Sequence, residues 1–418
     1  MLTLIKNIKK LVGVQKQPNE RLYGSQMSQL ETIKDAYLLI KDKEIEDFGQ
    51  MSALDSSLYN NVDKQIDASG KMVFPSFCDS HTHSVYAGSR EIEYIDKIKG
   101  LSYEEIAKRG GGILNSAKRL QQTSEEDLYQ DAMLRLNQMI AYGTGAVEIK
   151  SGYGMDTVNE LKMLRVIKRL KETSPLTIKS TLLGAHGVPM EYRGRQGEFV
   201  DMVCREMIPA AAKEGLADFV DVFCDKGFFT VEETDKMLKA GKEYGLTAKI
   251  HANELDYSGG IQCAVANNAL SCDHLEYVGE KEIACLKDSP TEPTILPGAA
   301  FFLNMPLSPA RKMIESGLSV AMASDCNPGS SPSCNMQLIV SFACVNYRLV
   351  AAEAINATTI NSAYAMGLSC THGSITKGKI ANFYITKPIP TVEYMPYSYG
   401  ENKVETPFLN GVAVQVRA

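Results

Sequence analysis

The chain has 418 residues, 44% hydrophobic and 22% charged, with 44 Lys+Arg against 50 Asp+Glu and a net charge of −6. That length can bury a substantial core, and the mild acidity gives no electrostatic footing for nucleic acid or an anionic membrane. No run of eighteen apolar residues occurs and the first residues carry no signal-peptide pattern, so the expectation is a cytoplasmic protein with no membrane span.

In chain order, residues 1–70 show short β-runs at 2–5, 36–40 and 43–45, divided by turn residues. From Val73 to Asn327, short β-branched or apolar runs alternate with amphipathic helical patterns. Eight strands are predicted, at 72–79, 146–150, 177–184, 219–224, 247–251, 269–273, 294–297 and 319–324. The helices between them carry start signals. Ser124 precedes Glu125-Glu126-Asp127, and Thr157-Val158-Asn159-Glu160 and Thr230-Val231-Glu232-Glu233 read as capping boxes. Ser308-Pro309 puts a cap before a proline at the first helical position. Eight alternating strand–helix units predict an α/β chain with a (β/α)8 TIM-like barrel over 71–369, a doubly wound sheet being the alternative. After a helical stretch around 351–366, strand signals return near 380–386, and residues 1–70 and 370–418 are expected to combine into one small β-sandwich domain. The ten cysteines hold no C-x-x-C pair and read as reduced thiols, Cys326 included.

Histidine is scarce here, and five of the six stand at or near predicted strand ends: His81, His83, His186, His251 and His274. His372 stands apart. In Asp79-Ser80-His81-Thr82-His83 the two imidazoles lie two residues apart in an extended segment and reach the same side. Asp325 closes the eighth strand. Imidazoles plus one carboxylate suit Zn2+, Fe2+ or a similar ion and not Ca2+ or Mg2+. Such an ion lowers the pKa of a water and supplies hydroxide at neutral pH, and Asp325 and His274 are the candidate bases. Glu254, three residues beyond His251, is a candidate general acid–base.

These residues resemble the amidohydrolase superfamily over nearly the whole chain. H-x-H identifies only the superfamily. Arg109-Gly110-Gly111-Gly112-Ile113, Lys150-Ser151-Gly152-Tyr153-Gly154 and Asn327-Pro328-Gly329-Ser330 point more narrowly, to the branch that opens an imidazolone ring in L-histidine degradation. The resemblance implies hydrolysis of the cyclic amide of 4-imidazolone-5-propanoate, a small anionic substrate, to N-formimidoyl-L-glutamate, with one Zn2+ or Fe ion per subunit. It implies His81, His83, His251 and Asp325 as metal ligands. Arg90, Tyr153 and His186, with Tyr103, would contact the substrate. Glu254 would meet the imidazolone ring, Asn327, Gly329 and Ser330 would contact substrate or product, and His274 would lie beside the attacking water. A homodimer is the expected assembly. An arginine can grip the propionate with two parallel hydrogen bonds. Arg109-Gly110-Gly111-Gly112 reads as a backbone nest for an anion or as a lid turn, and not as a P-loop. Lys150 and Lys226 follow the second and fourth strands, the places where some relatives carry a lysine bridging two metals; the resemblance favours one metal. The rival readings are a ring deaminase of guanine or cytosine type and a non-catalytic assembly relative.

Overall fold

The computed structural model describes residues 1–17, 19–55, 61–101 and 112–415. Tyr103 and Arg109-Gly110-Gly111 lie outside the described residues.

The chain opens with β1 (Leu2–Val12), β2 (Thr32–Lys41), β3 (Glu44–Gln50), β4 (Lys64–Asp67) and β5 (Met72–Pro75). Next come β6 (Phe77–Thr82), β7 (Thr144–Lys150), β8 (Thr177–Ala185) and β9 (Phe219–Cys224). They are followed by β10 (Thr247–Ala252), β11 (Ser271–His274), β12 (Glu292–Ile295) and β13 (Ala321–Met322). The last three are β14 (Phe383–Thr386), β15 (Val404–Leu409) and β16 (Val412–Ala413).

β6 to β13 pair in sequence order, each parallel to the next. Nearly all their residues are buried, as expected of parallel strands covered by helices on one side and filled by side chains on the other. The sheet closes on itself at one seam. Thr82 bridges Cys326 in parallel, the His83 amide donates to the Cys326 carbonyl at 3.0 Å, and the Asp325 amide donates to the His81 carbonyl at 3.0 Å. This is the (β/α)8 barrel the alternating pattern predicts.

The terminal strands make a second, mixed sheet in the order β16-β15-β14-β5-β1-β2-β3, with β4 also paired to β1. Its core contains Ile5, Ile8, Leu11, Leu38, Ile40, Phe383 and Phe408. Here the structure corrects one expectation. The run 72–79 is not one barrel strand. Pro75 has no amide hydrogen to extend a ladder, and the Ser76 amide turns to the Asn382 carbonyl at 3.1 Å. β5 therefore pairs with β1 and β14, and the barrel begins at Phe77.

Two helix starts also differ in detail. Asp156, not Thr157, caps the helix Thr157–Thr173, accepting from the Asn159 amide at 2.8 Å, and Glu160 is left for another task. Pro309 is itself the cap of Ala310–Glu315, and the Ser308 hydroxyl donates to the His274 carbonyl at 3.0 Å. The Thr230–Glu233 capping box and the Ser124 cap form as expected.

Candidate active site

The polar residues gather at the C-terminal ends of the barrel strands, where the fold leaves side chains free of the packed interior. Local backbone strain helps to aim them. Asn253, His274, Leu275 and Asp325 all adopt positive φ, at 55°, 84°, 68° and 52°. Non-glycine residues pay for this conformation, and it concentrates where a site demands it. The left-handed turn after β11 lets adjacent residues serve one site. Asp273 reaches His81 while the His274 ring lies 5.5 Å from the His81 ring.

The five histidines predicted to matter converge. Ring centroids are 4.4 Å apart for His81 and His251, 5.2 Å for His251 and His274, and 5.0 Å for the stacked pair His83 and His186. Asp325 Oδ1 lies 3.6 Å from His81 Nε2 and 3.7 Å from His83 Nε2. Three overlapping trios, His81–His251–His274, His83–His186–His251 and His81–His83–Asp325, each bring ligand atoms within 4.8 Å of one another. His81 Nε2, His83 Nδ1, both ring nitrogens of His251 and His274 Nδ1 are buried and make no hydrogen bond of good geometry among the described residues, although His251 Nδ1 lies 2.9 Å from Asp221 Oδ2. Such orphaned lone pairs are costly in a protein interior unless something electropositive meets them. Burial, reinforced by neighbouring positive charge, holds His81, His83 and His274 well below the usual imidazole range, so these rings are neutral and free to ligate. Burial pushes Asp325 up to about 6, His251 opposing it. The donor set fits a divalent transition ion. His372 is elsewhere, bonded between Thr371 and Thr177.

Beneath the cluster lies a buried ionic layer that the sequence reading missed. His81 Nδ1 donates to Asp273 Oδ2 at 2.6 Å, and His251 Nδ1 lies 2.9 Å from Asp221 Oδ2. Lys150 Nζ donates to Asp221 at 2.8 Å and Glu148 at 2.6 Å and lies 3.6 Å from Asp273. Lys249 pairs with Glu148 and donates to the Ser80 carbonyl at 3.0 Å. All five charged side chains are fully buried. Burial works against the charge on Lys150, but Asp221 and Glu148 outweigh it and hold the ammonium above its usual range. Lys150 is thus occupied as a cation, and Lys226 is an exposed partner of Asp256. The alternation of polar residues within strands (Glu148 and Lys150, Lys249 and His251) was the available signal.

To one side, His186 Nδ1 donates to the Gly152 carbonyl at 3.1 Å, and the Tyr153 ring lies 5.4 Å from His186. Gly152 is required: its φ is 113°, and a Cβ there would sit 2.8 Å from His186 Nδ1. Glu160 accepts from the amides of Gly152, Gly154 and Met155 at 2.9, 2.6 and 3.1 Å and so holds the Tyr153 loop. Arg90 Nε donates to Glu93 at 2.7 Å, and its guanidinium lies so close to Gly329 that a Cβ there would meet Nη1 at 2.1 Å. Asn327 shapes the loop after β13. Its carbonyl accepts from the Gly329 and Ser330 amides at 2.7 and 2.8 Å, and its amide donates to the Asp325 carbonyl at 2.7 Å. Ser330 Oγ donates to Asp325 Oδ2 at 3.0 Å. Glu254 follows β10. Asp225 accepts its amide at 2.7 Å, and its Oε2 lies 3.5 Å from His274 Nδ1. Glu276 lies 3.9 Å from the same nitrogen, with neither carboxyl oxygen partnered among the described residues.

Residues 72–414 match the model of the amidohydrolase family. Imidazolonepropionases of Christiangramia forsetii and Flavobacterium johnsoniae are each 52% identical over 98% of this chain and 99% of their own. The solved structure of Escherichia coli guanine deaminase superposes with a TM-score of 0.71 over the full length of both chains at 15% identity, a likeness of fold alone. The chain belongs to the amidohydrolase family and, within it, to the imidazolonepropionases.

Proposed function

We propose that this chain hydrolyses the cyclic amide of 4-imidazolone-5-propanoate to N-formimidoyl-L-glutamate. The observation that carries the mechanism is the convergence of neutral, unpartnered imidazole nitrogens on Asp325, with Arg90, Tyr153 and His186 alongside. His81, His83, His251 and Asp325 would hold one Zn2+ or Fe ion. When bound, that ion supplies Lewis acidity and a hydroxide at neutral pH. Asp325 or His274 takes the proton of the attacking water, and His274 faces the oxyanion that develops on the ring carbonyl. Burial, with Asp325 and Asp225 adding to it, pushes Glu254 up to about 8. The direction of that shift favours the protonated carboxyl, the form that can pass a proton to the departing ring nitrogen. Arg90, steadied by Glu93, grips the propionate. Tyr153 and His186 add directional contacts, and Asn327, Gly329 and Ser330 border the substrate after β13; a role for Tyr103 rests on the resemblance alone. A homodimer acting in the cytoplasm is proposed on the resemblance alone, and light scattering tests its mass.

The deciding assay uses metal-stripped protein reloaded with Zn2+ or Fe2+ and follows formimidoyl-glutamate. Activity returning with one of these ions, and no ammonia from guanine or cytosine, is the expected result; no turnover under any metal defeats the proposal. Gly329→Ala tests the arginine grip. Its Cβ would fall 2.1 Å from Arg90 Nη1 and force the guanidinium aside. KM is expected to rise roughly tenfold with kcat changed far less, the pattern of a lost binding contact. An unchanged KM places the propionate elsewhere.

A further inference from the structure

The structure assigns a positioning role to Lys150: one buried ammonium ties Asp221 and Asp273 together, so that these two carboxylates hold His251 and His81 with their Nε2 atoms turned to the metal position. The inference rests on the ligand roles proposed above for His81 and His251.

Each link is on one connected path. Lys150 Nζ is 2.8 Å from Asp221 Oδ2, which is 2.9 Å from His251 Nδ1. The same Nζ is 3.6 Å from Asp273 Oδ2, which accepts from His81 Nδ1 at 2.6 Å. A carboxylate against Nδ1 keeps the proton there and leaves Nε2 as a lone pair, and it fixes the plane of the ring. Asp221 on β9 and Asp273 on β11 stand on either side of β10 and would repel one another without a cation between them. Burial opposes the charge of both; at Asp221, His251 and Lys150 outweigh it and hold the carboxyl below its usual range, whereas at Asp273, Lys249 and Lys150 offset it only in part and the carboxyl stays above its usual range. Ser271 Oγ donates to the second Asp273 oxygen at 2.6 Å, and the His251 amide to the second Asp221 oxygen at 3.1 Å, so each carboxylate has only its Oδ2 side for the lysine and the histidine. Glu148 accepts from both Lys150 and Lys249 and so holds Lys150 from its other side, and Lys249 Nζ lies 4.0 Å from Asp273 Oδ2 at the edge of the layer.

Simple electrostatics makes the opposite prediction. A lysine beside a divalent cation repels it, so removing the charge would tighten binding if charge were all that mattered. Positioning demands that binding weaken.

The test measures Co2+ affinity of the metal-free full chain by chelator competition. Lys150→Met is expected to weaken binding about 10–100-fold, the usual cost of losing a group that orients ligands. In an Asp221→Asn/Asp273→Asn background the same substitution should change affinity little, because the groups it acts through are gone. That background keeps the Glu148–Lys249 pair neutral, so it also serves if Lys150→Met alone does not fold. Unchanged or tighter binding in Lys150→Met, or an equal loss in the double-Asn background, overturns the inference. Nitrogen-15 spectra of the metal-free wild type add a readout independent of any variant. His81 and His251 should both carry their proton on Nδ1, and a proton on Nε2 of either contradicts the assignment. Wild type that binds no Co2+ at all would instead defeat the ligand roles themselves.

Discussion

Asp325→Asn is expected to lower turnover by on the order of 10^3-fold or more while leaving the chain folded. Asparagine is the instructive replacement because the backbone at 325 is left-handed, with φ of 52°, a conformation asparagine tolerates and alanine does not. The amide can still accept from Ser330 Oγ, as Asp325 Oδ2 does at 3.0 Å. What is lost is the negative charge 3.6 Å from His81 Nε2 and 3.7 Å from His83 Nε2, the one carboxylate among the proposed ligands. Metal content should therefore fall with kcat, and the melting temperature of the metal-free protein should stay within a few degrees of wild type. Near-normal turnover with full metal content would remove Asp325 from both of its proposed roles.

The second large effect concerns stability and reaches the site only through a loop. Glu160 is fully buried, and its carboxyl accepts three backbone amides, from Gly152, Gly154 and Met155. Glu160→Ala leaves those donors unsatisfied in the interior. Each costs roughly 1–3 kcal/mol, so a loss of about 3 kcal/mol or more is expected, together with a lower melting temperature. Gly154 cannot relax toward the helix to compensate: even a Cβ there would meet the Glu160 amide nitrogen at 2.3 Å. The loop carries Tyr153, and the Gly152 carbonyl orients His186, so KM should rise in whatever fraction remains folded. A thermal midpoint equal to wild type would show that water replaces the carboxyl at no cost.

Much of the site was legible because its residues are rare and sit at the ends of regular elements. Histidine two residues apart after an apolar run, histidines closing the fifth and sixth strands and aspartate closing the eighth are patterns of type and spacing. Glu160 shows the limit of such reading. In the sequence it completes a capping box with Thr157, yet Asp156 takes the cap and Glu160 turns to the loop. Both uses satisfy free amides, and only packing chooses between them. The run 72–79 failed for a similar reason, since hydrophobicity continues through Pro75 while the hydrogen-bond partners change from β14 to β7.

The sequence by itself determined the alternation that makes a barrel, the identity of the histidines and Asp325, and the neutral-to-acidic character that suits a small-molecule enzyme. Only the tertiary structure decided which of these groups meet. Asp325 reaches His81 and His83 because the barrel closes between the ends of β6 and β13, a contact spanning more than 240 residues of chain. The layer of Lys150, Asp221, Asp273, Glu148 and Lys249 is likewise drawn from four different strands. A charged residue inside a strand reads as a surface residue until its partners are known, because burying it is tolerable only when opposite charges from other strands arrive at the same depth.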